Sequence, residues 1–190
     1  MKNKTILFNS FNTLSLDKNV LNIFMILIGS LSIGILAQIS IPIPFSPIPI
    51  TGQTIGVVLI GSLLGSKRGA LSIILYLTEG SLGLPMFANM KAGAHVLFGP
   101  TGGYLWGFII AAFLMGYLKE KGFLSNPINC FLACFASTTT ILFAGAFYLS
   151  IITGDINKGL TMGLYPFLVG DIVKSFICTT FILGSNKISS

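Results

Sequence analysis

Long apolar stretches, separated by short polar or irregular segments, make up most of the chain. The pattern predicts six helices, over residues 20–40, 51–64, 69–78, 102–118, 128–153 and 160–183. A helix that crosses a bilayer perpendicularly needs about 20 apolar residues, and the second and third predicted helices are shorter than that. The pattern therefore indicates an all-α integral membrane protein, a six-helix transmembrane bundle with long outer loops.

Two irregular segments interrupt this pattern. Residues 41–50 (IPIPFSPIPI) carry proline at every second or third position, which excludes a helix and favours extended backbone. Irregular backbone at membrane depth needs protein or a water-filled cavity to cover it, so we expect this segment to fold back over the bundle. Residues 79–100 form a long loop, and loops of that length in a compact bundle are usually functional. Lys67 and Arg68 are expected to separate the second helix from the third.

Composition supports membrane insertion and sets an expected orientation. The chain is 53% hydrophobic and 8% charged, whereas a soluble domain is about 25% charged. The net charge of +6 is best explained by basic residues that set the membrane orientation of the chain. A nucleic-acid site would need basic residues clustered on a soluble surface. With both termini inside, eight basic residues lie on inner segments and two on outer loops; the inner set is Lys2, Lys4, Lys18, Lys67, Arg68, Lys119, Lys121 and Lys187, and the outer set is Lys91 and Lys158.

This bias predicts a multi-pass protein of the cell membrane with both termini cytoplasmic. We divide the chain into a polar cytoplasmic segment (1–19), a single six-helix substrate-binding domain (20–185) and a cytoplasmic tail (186–190). The proline segment and the long loop then lie on the outer side. Membrane lipid surrounds the bundle, and no nucleic-acid partner is expected.

Asp171 and Lys174 are the most informative pair in the sequence. They lie three residues apart in an apolar stretch, so both project from one helical face. A charged side chain at bilayer depth costs about 2.5–3.5 kcal/mol on insertion scales and usually marks a substrate or ion pathway. One alternative is a buried ion pair that pins the sixth helix, although such pairs rarely stabilise more than apolar packing does. We therefore predict that the pair forms a polar site for a small molecule.

Other candidate site residues lie close to the irregular segments. Asn89 follows an apolar run in the long loop, which suggests that the loop dips inward. Gln53 begins the second helix directly after the proline segment. Tyr104 begins the fourth helix; anchoring at the membrane interface is typical of tyrosine, and we also count it as a candidate substrate contact. Ser30 and Gly34 form a small-xxx-small pattern on the first helix, a pattern that permits close helix approach, and a partner subunit is the candidate neighbour.

The sequence offers little for catalysis or metal binding. It has one histidine and five acids, and its three cysteines lack metal-ligand spacing, so we expect no enzyme activity, metal or cofactor and treat the cysteines as packing residues. No GxxxxGK[ST] phosphate-binding loop is present, so ATP would have to act through another subunit. The energy for active transport would come from such a subunit or from an ion gradient.

Four segments occur together in a distinctive order. They are residues 42–51 leading into Gln53, residues 83–87 (GLPMF), residues 98–108 (FGPTGGYLWGF) and residues 170–174 (GDIVK). In this order and spacing, the chain resembles the BioY family of biotin transporters, which are substrate-binding S components of energy-coupling factor (ECF) transporters. The resemblance covers roughly residues 20–185.

The resemblance implies both a ligand site and partners. The family binds biotin near the outer face, under the first and third loops, with an asparagine of the third loop and the aspartate and lysine of the sixth helix. These correspond to Asn89, Asp171 and Lys174. The family also implies docking on a T component driven by two ATPase subunits, through a small-residue motif on helix one that Ser30 and Gly34 approximate.

Two rival functions remain. A self-sufficient secondary transporter for biotin or another small vitamin usually shows an internal repeat, and the two halves of this chain show no convincing one. A membrane enzyme would need a cluster of His, Asp, Glu or Cys. High-affinity biotin binding and uptake as an S component is therefore the leading hypothesis.

Overall fold

The structure is a computed structural model that describes residues 17–188. Most of the predicted N-terminal segment (1–19) and part of the predicted tail (186–190) lie outside the described residues. The elements, in chain order, are α1 (Lys18–Ala37), β1 (Ser40–Ile43), β2 (Ser46–Thr51), α2 (Gln53–Leu64), α3 (Ser66–Ser81), α4 (His95–Phe98), α5 (Gly102–Glu120), α6 (Pro127–Thr153), α7 (Ile156–Gly163) and α8 (Leu168–Ile188). Single 3₁₀ turns occur at Phe123–Ser125 and Tyr165–Phe167, and an irregular turn covers Ala88–Met90.

The described chain is mostly helical, as the apolar pattern predicted. Four stretches are long and apolar enough to cross a membrane, namely α1, α5, α6 and Ile156–Ser185, which joins α7 to most of α8. Helix α2 is apolar but only 12 residues long, and α3 has 16 residues. The two short helices are therefore confirmed as short, and the count of six spans stays a prediction.

The boundary between α2 and α3 differs from the prediction. Lys67 and Arg68 lie inside the first turn of α3, and the chain turns instead at Gly65, whose φ of 85° favours glycine. Gly65 offers no side chain to cap α3, and the carboxylate of Glu120 at the end of α5 takes that role. It accepts hydrogen bonds from the Ser66 backbone N–H at 2.7 Å and from the Ser66 hydroxyl at 2.9 Å. The helix start is thus fixed by a distant residue.

The stretch predicted as one helix over residues 160–183 is broken in two. Pro166 lies in the 3₁₀ turn Tyr165–Phe167 that separates α7 from α8, and proline cannot continue the hydrogen-bond ladder of the preceding helix. Helix α7 begins earlier than predicted, because the Asp155 carboxylate caps it by accepting from the Asn157 N–H at 2.8 Å. As a result, Asp171 lies in the first turn of α8.

The proline segment is extended, as predicted, and forms a hairpin that the sequence did not reveal. β1 and β2 pair antiparallel, with Ile41 opposite Ile50, and the register shifts between Ile41 and Ile43. The hairpin is tied to α7 because the Ser46 hydroxyl donates to the Met162 carbonyl oxygen at 2.7 Å. It folds back over the bundle and buries its own Ile48 side chain there.

The interior contains two apolar clusters. The larger one spans all of the long helices except α8, along with the hairpin and the long loop, and includes Phe87, Tyr104 and Phe167. The smaller one includes Met115 and Ile182, together with Cys130, Cys134 and Cys178. All three cysteines are free and buried, which confirms that they are packing residues.

The capping of α3 by Glu120 can be tested by substitution. Glu120→Ala removes the acceptor for two hydrogen bonds of Ser66, so we expect the free energy of unfolding to fall by about 1–3 kcal/mol. Reversible unfolding in detergent, followed by circular dichroism, measures this change. The control is Lys121→Ala, at the exposed neighbouring position, which should change stability by less than about 0.5 kcal/mol. Equal stability of the two variants would show that the cap is unimportant.

Candidate ligand-binding site

One cavity lies beneath the hairpin and the long loop. Its walls come from β2, α2, the loop before α4, α5, α6 and α8. All five predicted substrate-binding residues line it: Gln53, Asn89, Tyr104, Asp171 and Lys174. The remaining walls are largely apolar and include Ile48, Phe87, Phe108, Leu142 and Phe167. The fold therefore brings together residues that are up to 121 positions apart in sequence.

Asp171 is buried at the cavity wall, with 4% of its surface exposed. Its position in the first turn of α8 favours the charged carboxylate, because the positive end of the helix dipole lies there. Its Oδ2 atom accepts a hydrogen bond from the Thr139 hydroxyl of α6 at 2.8 Å. Thr139 was not identified from the sequence; its only signal was a run of three threonines inside an apolar span.

Lys174 lies one turn after Asp171 and lines the same cavity. Within residues 17–188, no nitrogen–oxygen contact of 4.0 Å or less joins the Lys174 ammonium to the Asp171 carboxylate. Within that range, Lys174 also makes no hydrogen bond through its side chain. A direct ion pair that pins α8 is therefore not what the geometry shows. The cavity instead presents an acceptor and a donor on the same face of one helix.

Asn89 reaches the cavity from a turn with unusual backbone geometry. Asn89 and Met90 both have left-handed conformations, with φ of 58° and 56°. Asparagine tolerates this region better than most residues do. The side-chain amide of Asn89 makes no hydrogen bond to any other part of the chain that the structure describes, so its donor and acceptor remain available at the cavity.

The turn is supported from below by aromatic packing. Phe87 is 1% exposed, and its ring meets the ring of Tyr76 edge to face, with centroids 5.6 Å apart. Gly80 makes room for Phe87, since a Cβ atom at that position would clash with the ring. Small residues on α3 thus allow the loop to pack closely over the helix.

Gln53 and Tyr104 line the cavity, but their polar groups are used within the protein. Gln53 Nε2 donates to the Tyr76 hydroxyl, and Gln53 Oε1 accepts from the Thr51 hydroxyl at 3.1 Å. The Tyr104 hydroxyl donates to the Gly163 carbonyl oxygen at 2.6 Å and so ties α5 to α7. Both residues form walls of the cavity rather than free polar groups.

Thr54 and Lys91 also contribute polar groups to the lining of the cavity. The hydroxyl oxygen of Thr54 is buried, and it has no hydrogen-bond partner in the described part of the chain. Lys91 lies at the mouth and is exposed. Neither was among the predicted site residues. Thr54 lies one position after Gln53, but a lone threonine in an apolar helix carries no distinctive sequence signal.

Ser30 and Gly34, predicted to contact a partner subunit, are both buried inside this chain. Ser30 is 0% exposed, and its hydroxyl donates to the carboxylate of Glu79 on α3. A Cβ atom at Gly34 would lie 2.8 Å from the terminal methyl carbon of Met86. The small-xxx-small pattern does permit close approach, but here the neighbours are α3 and the long loop. These residues do not lie on an open face of α1.

Comparison with known proteins identifies the family of the chain. The sequence model of the BioY family matches residues 6–189. A "Biotin transporter BioY" from Thermotoga maritima is 40% identical over 149 residues, which cover 78% of this chain and 86% of that protein. A "Probable biotin transporter BioY" from Pyrococcus horikoshii is 41% identical over 140 residues, covering 73% and 80% of the two chains.

A solved structure shares the fold. The crystal structure of the S-component for biotin from an ECF-type ABC transporter superposes with a TM-score of 0.80 and 28% identity, over 91% of this chain and 95% of that one. The family match covers nearly the whole sequence, and the relatives match over most of their own length. The chain therefore belongs to the BioY family.

Proposed function

We propose that this chain binds biotin in the cavity beneath the hairpin and acts as the S component of an ECF uptake system in the cell membrane. The observation that carries the proposal is the convergence of Asn89, Asp171 and Lys174 on one largely apolar cavity. The choice of biotin is supported by the relatives, which are named as biotin transporters, and by the fold shared with an S-component for biotin.

The chemistry of the cavity suits this ligand. The ureido ring of biotin offers two N–H donors and one carbonyl acceptor, and its tail ends in a carboxylate. The Asp171 carboxylate can accept the ureido N–H groups, and the free amide of Asn89 can pair with a donor and an acceptor. Lys174 can donate to the carbonyl or to the carboxylate. Phe87, Phe108 and other apolar side chains suit the bicyclic ring and the valeryl chain.

The proposed partners are a membrane-embedded T component and two ATPase subunits. The chain itself has no phosphate-binding loop, so ATP-driven uptake requires other subunits. Expression with and without these partners separates this proposal from a self-sufficient transporter. Uptake of labelled biotin should rise when the partners are co-expressed, whereas equal uptake without them would favour the secondary transporter.

We also propose six membrane passages with both termini in the cytoplasm. The short helices α2 and α3 would supply the second and third passages, in addition to the four longer apolar stretches. The excess of basic residues on the predicted inner segments supports the orientation. The hairpin and the cavity then face the outside of the cell, where biotin is captured.

Biotin binding is the first prediction of the proposed function. The purified protein should bind biotin at about one-to-one stoichiometry, and saturating biotin should raise its melting temperature, because a ligand that binds only the folded state stabilises it. Calorimetry and thermal unfolding in detergent measure both effects. Desthiobiotin, which retains the ureido group, serves as a related ligand. No shift with biotin, alongside a clear shift with another vitamin, would contradict the substrate.

The second prediction concerns the charged pair. Asp171→Asn should weaken biotin binding about ten- to a hundred-fold, because it removes a charge-assisted acceptor. Lys174→Met should also weaken binding. The double variant should fold but bind poorly, because neither charge is then present to contact the ligand. Isothermal titration calorimetry measures affinity, and size-exclusion chromatography reports folding.

Matched controls exist for both substitutions. Asp155→Asn makes the same chemical change outside the cavity lining and retains a good helix cap. Lys158→Met removes an exposed charge three residues after Asp155. Both controls should bind biotin like the wild type. Near-wild-type affinity in the Asp171→Asn/Lys174→Met variant would show that the pair does not contact biotin.

The third prediction concerns orientation. In a cysteine-free background, Phe45→Cys at the hairpin and Ile156→Cys at the start of α7 should react with an impermeant thiol reagent added to intact cells. Both side chains are well exposed in the structure. Lys121→Cys, at the end of α5, should react only after the cells are permeabilised. Labelling of Lys121→Cys in sealed cells would reverse the assigned orientation.

A further inference from the structure

A single glutamine side chain connects the end of α1 to the turn that carries Asn89. Gln38 is the residue that follows α1, and its amide reaches residues about 50 positions further along the chain. Its Oε1 atom accepts a hydrogen bond from the Met90 backbone N–H at 3.0 Å. Its Nε2 atom donates to the Phe87 carbonyl at 3.3 Å and the Pro85 carbonyl at 3.4 Å, as well as to the Gly34 carbonyl of α1 at 2.9 Å.

The turn has few other means of holding its shape. Asn89 and Met90 are consecutive non-glycine residues, and both adopt left-handed conformations. Such conformations persist only where the surrounding structure enforces them. The Met90 side chain is 63% exposed, so burial does not anchor it. The turn closes on itself through two hydrogen bonds, from the Phe87 N–H to the Lys91 carbonyl at 3.0 Å and, more weakly, from the Lys91 N–H to the Ala88 carbonyl at 3.4 Å. Neither bond uses the N–H or carbonyl group of Asn89 or Met90.

The other anchors of the loop lie on either side of the turn. Phe87 is buried before it, and the Gly93 N–H donates to the Gly80 carbonyl at 2.7 Å after it. Gln38 is the side chain that bonds both the carbonyl at the start of the turn and the N–H at its tip. An amide suits this role because it provides a donor and an acceptor at the same end of the side chain.

We propose that Gln38 is a positioning residue for ligand recognition, which holds the left-handed turn so that the Asn89 amide faces the cavity. Gln38 does not line the cavity and acts on the ligand only through Asn89. The inference rests on the proposed function, because its effect is measured as a change in the affinity for biotin. A residue that merely ended α1 would contribute to stability alone.

A double-mutant cycle separates these two roles. Gln38→Met keeps the length of the side chain but removes both hydrogen-bonding atoms, and Asn89→Ala removes the group that it is proposed to position. Gln38→Met should weaken biotin binding about ten-fold. This is the loss expected when the Asn89 amide is displaced and its hydrogen bond to biotin is no longer well aligned. In the Asn89→Ala background, the same substitution should change affinity by less than about two-fold, because its effect passes through Asn89. A full loss of about ten-fold in that background would overturn the proposal.

Two further variants complete the affinity measurements. Gln38→Glu keeps an acceptor for the Met90 N–H but loses the donor to the loop carbonyls, so its affinity should lie between those of wild type and Gln38→Met. It also provides a second test if Gln38→Met folds poorly. Thr78→Ala is the control, because the Thr78 hydroxyl bonds only within its own helix. It should bind biotin like the wild type.

Hydrogen exchange in the absence of ligand tests the positioning directly. The amide of Met90 should exchange markedly faster in Gln38→Met than in wild type, while amides in the middle of α6 remain unchanged. Unchanged exchange at Met90 would overturn the proposal whatever the affinity. If wild-type protein fails to bind biotin, the proposed function falls; if wild type binds and both Gln38 variants bind equally well, only the role of Gln38 falls.

Discussion

The burial of a carboxylate among apolar helices shapes the half of this protein that contains the cavity. An isolated buried charge is strongly unfavourable unless hydrogen bonds or favourable dipoles compensate for it. Asp171 receives both: it accepts from Thr139, and it lies in the first turn of α8. The break at Tyr165–Phe167 is what places a helix start at this depth. Without it, Asp171 would lie in the middle of a continuous helix, where the helix dipole offers no such stabilisation.

Covering irregular backbone is the second constraint, and it explains the roof of the cavity. The hairpin satisfies its own backbone by strand pairing and is tied to α7 through Ser46. The long loop instead depends on side chains: Phe87 fills space left by Gly80, and Gln38 bonds the turn at Asn89. Both segments therefore cover the cavity while interactions with the rest of the chain hold their irregular backbone in place.

The sequence predicted the location of the site better than its supporting contacts. Asp171 and Lys174 stood out because charge is rare in apolar helices. Asn89 stood out because it follows an apolar run, and the family resemblance then implied its contact with the ligand. The positions of the short helices and of the extended proline segment followed from composition and proline geometry. The supporting contacts of Thr139, Gln38 and Glu120 could not be predicted, because each joins residues that lie between 32 and 54 positions apart.

The small-residue pattern on α1 shows why such signals are ambiguous. Ser30 and Gly34 have the spacing that lets two helices approach closely, and the spacing is the same whether the neighbour belongs to the same chain or another. Here the carboxylate of Glu79 needs a hydrogen-bond donor, and Ser30 supplies it. The spacing of the small residues correctly indicated a close contact. Which element makes that contact depended on Glu79, which lies 49 positions away from Ser30.

The half of the bundle away from the cavity bears on how a ligand could cross the membrane. Below the cavity, the smaller apolar cluster contains Val58, Met115, Cys130 and Cys134, all 0% exposed, so it is closely packed. A molecule bound beside Asp171 therefore meets a dense apolar layer rather than a continuous channel through the described helices. Release to the other side requires a rearrangement larger than the motion of one side chain. Close packing of this kind is consistent with the proposed role as a binding module, whose ligand moves only when the packed layer is rearranged.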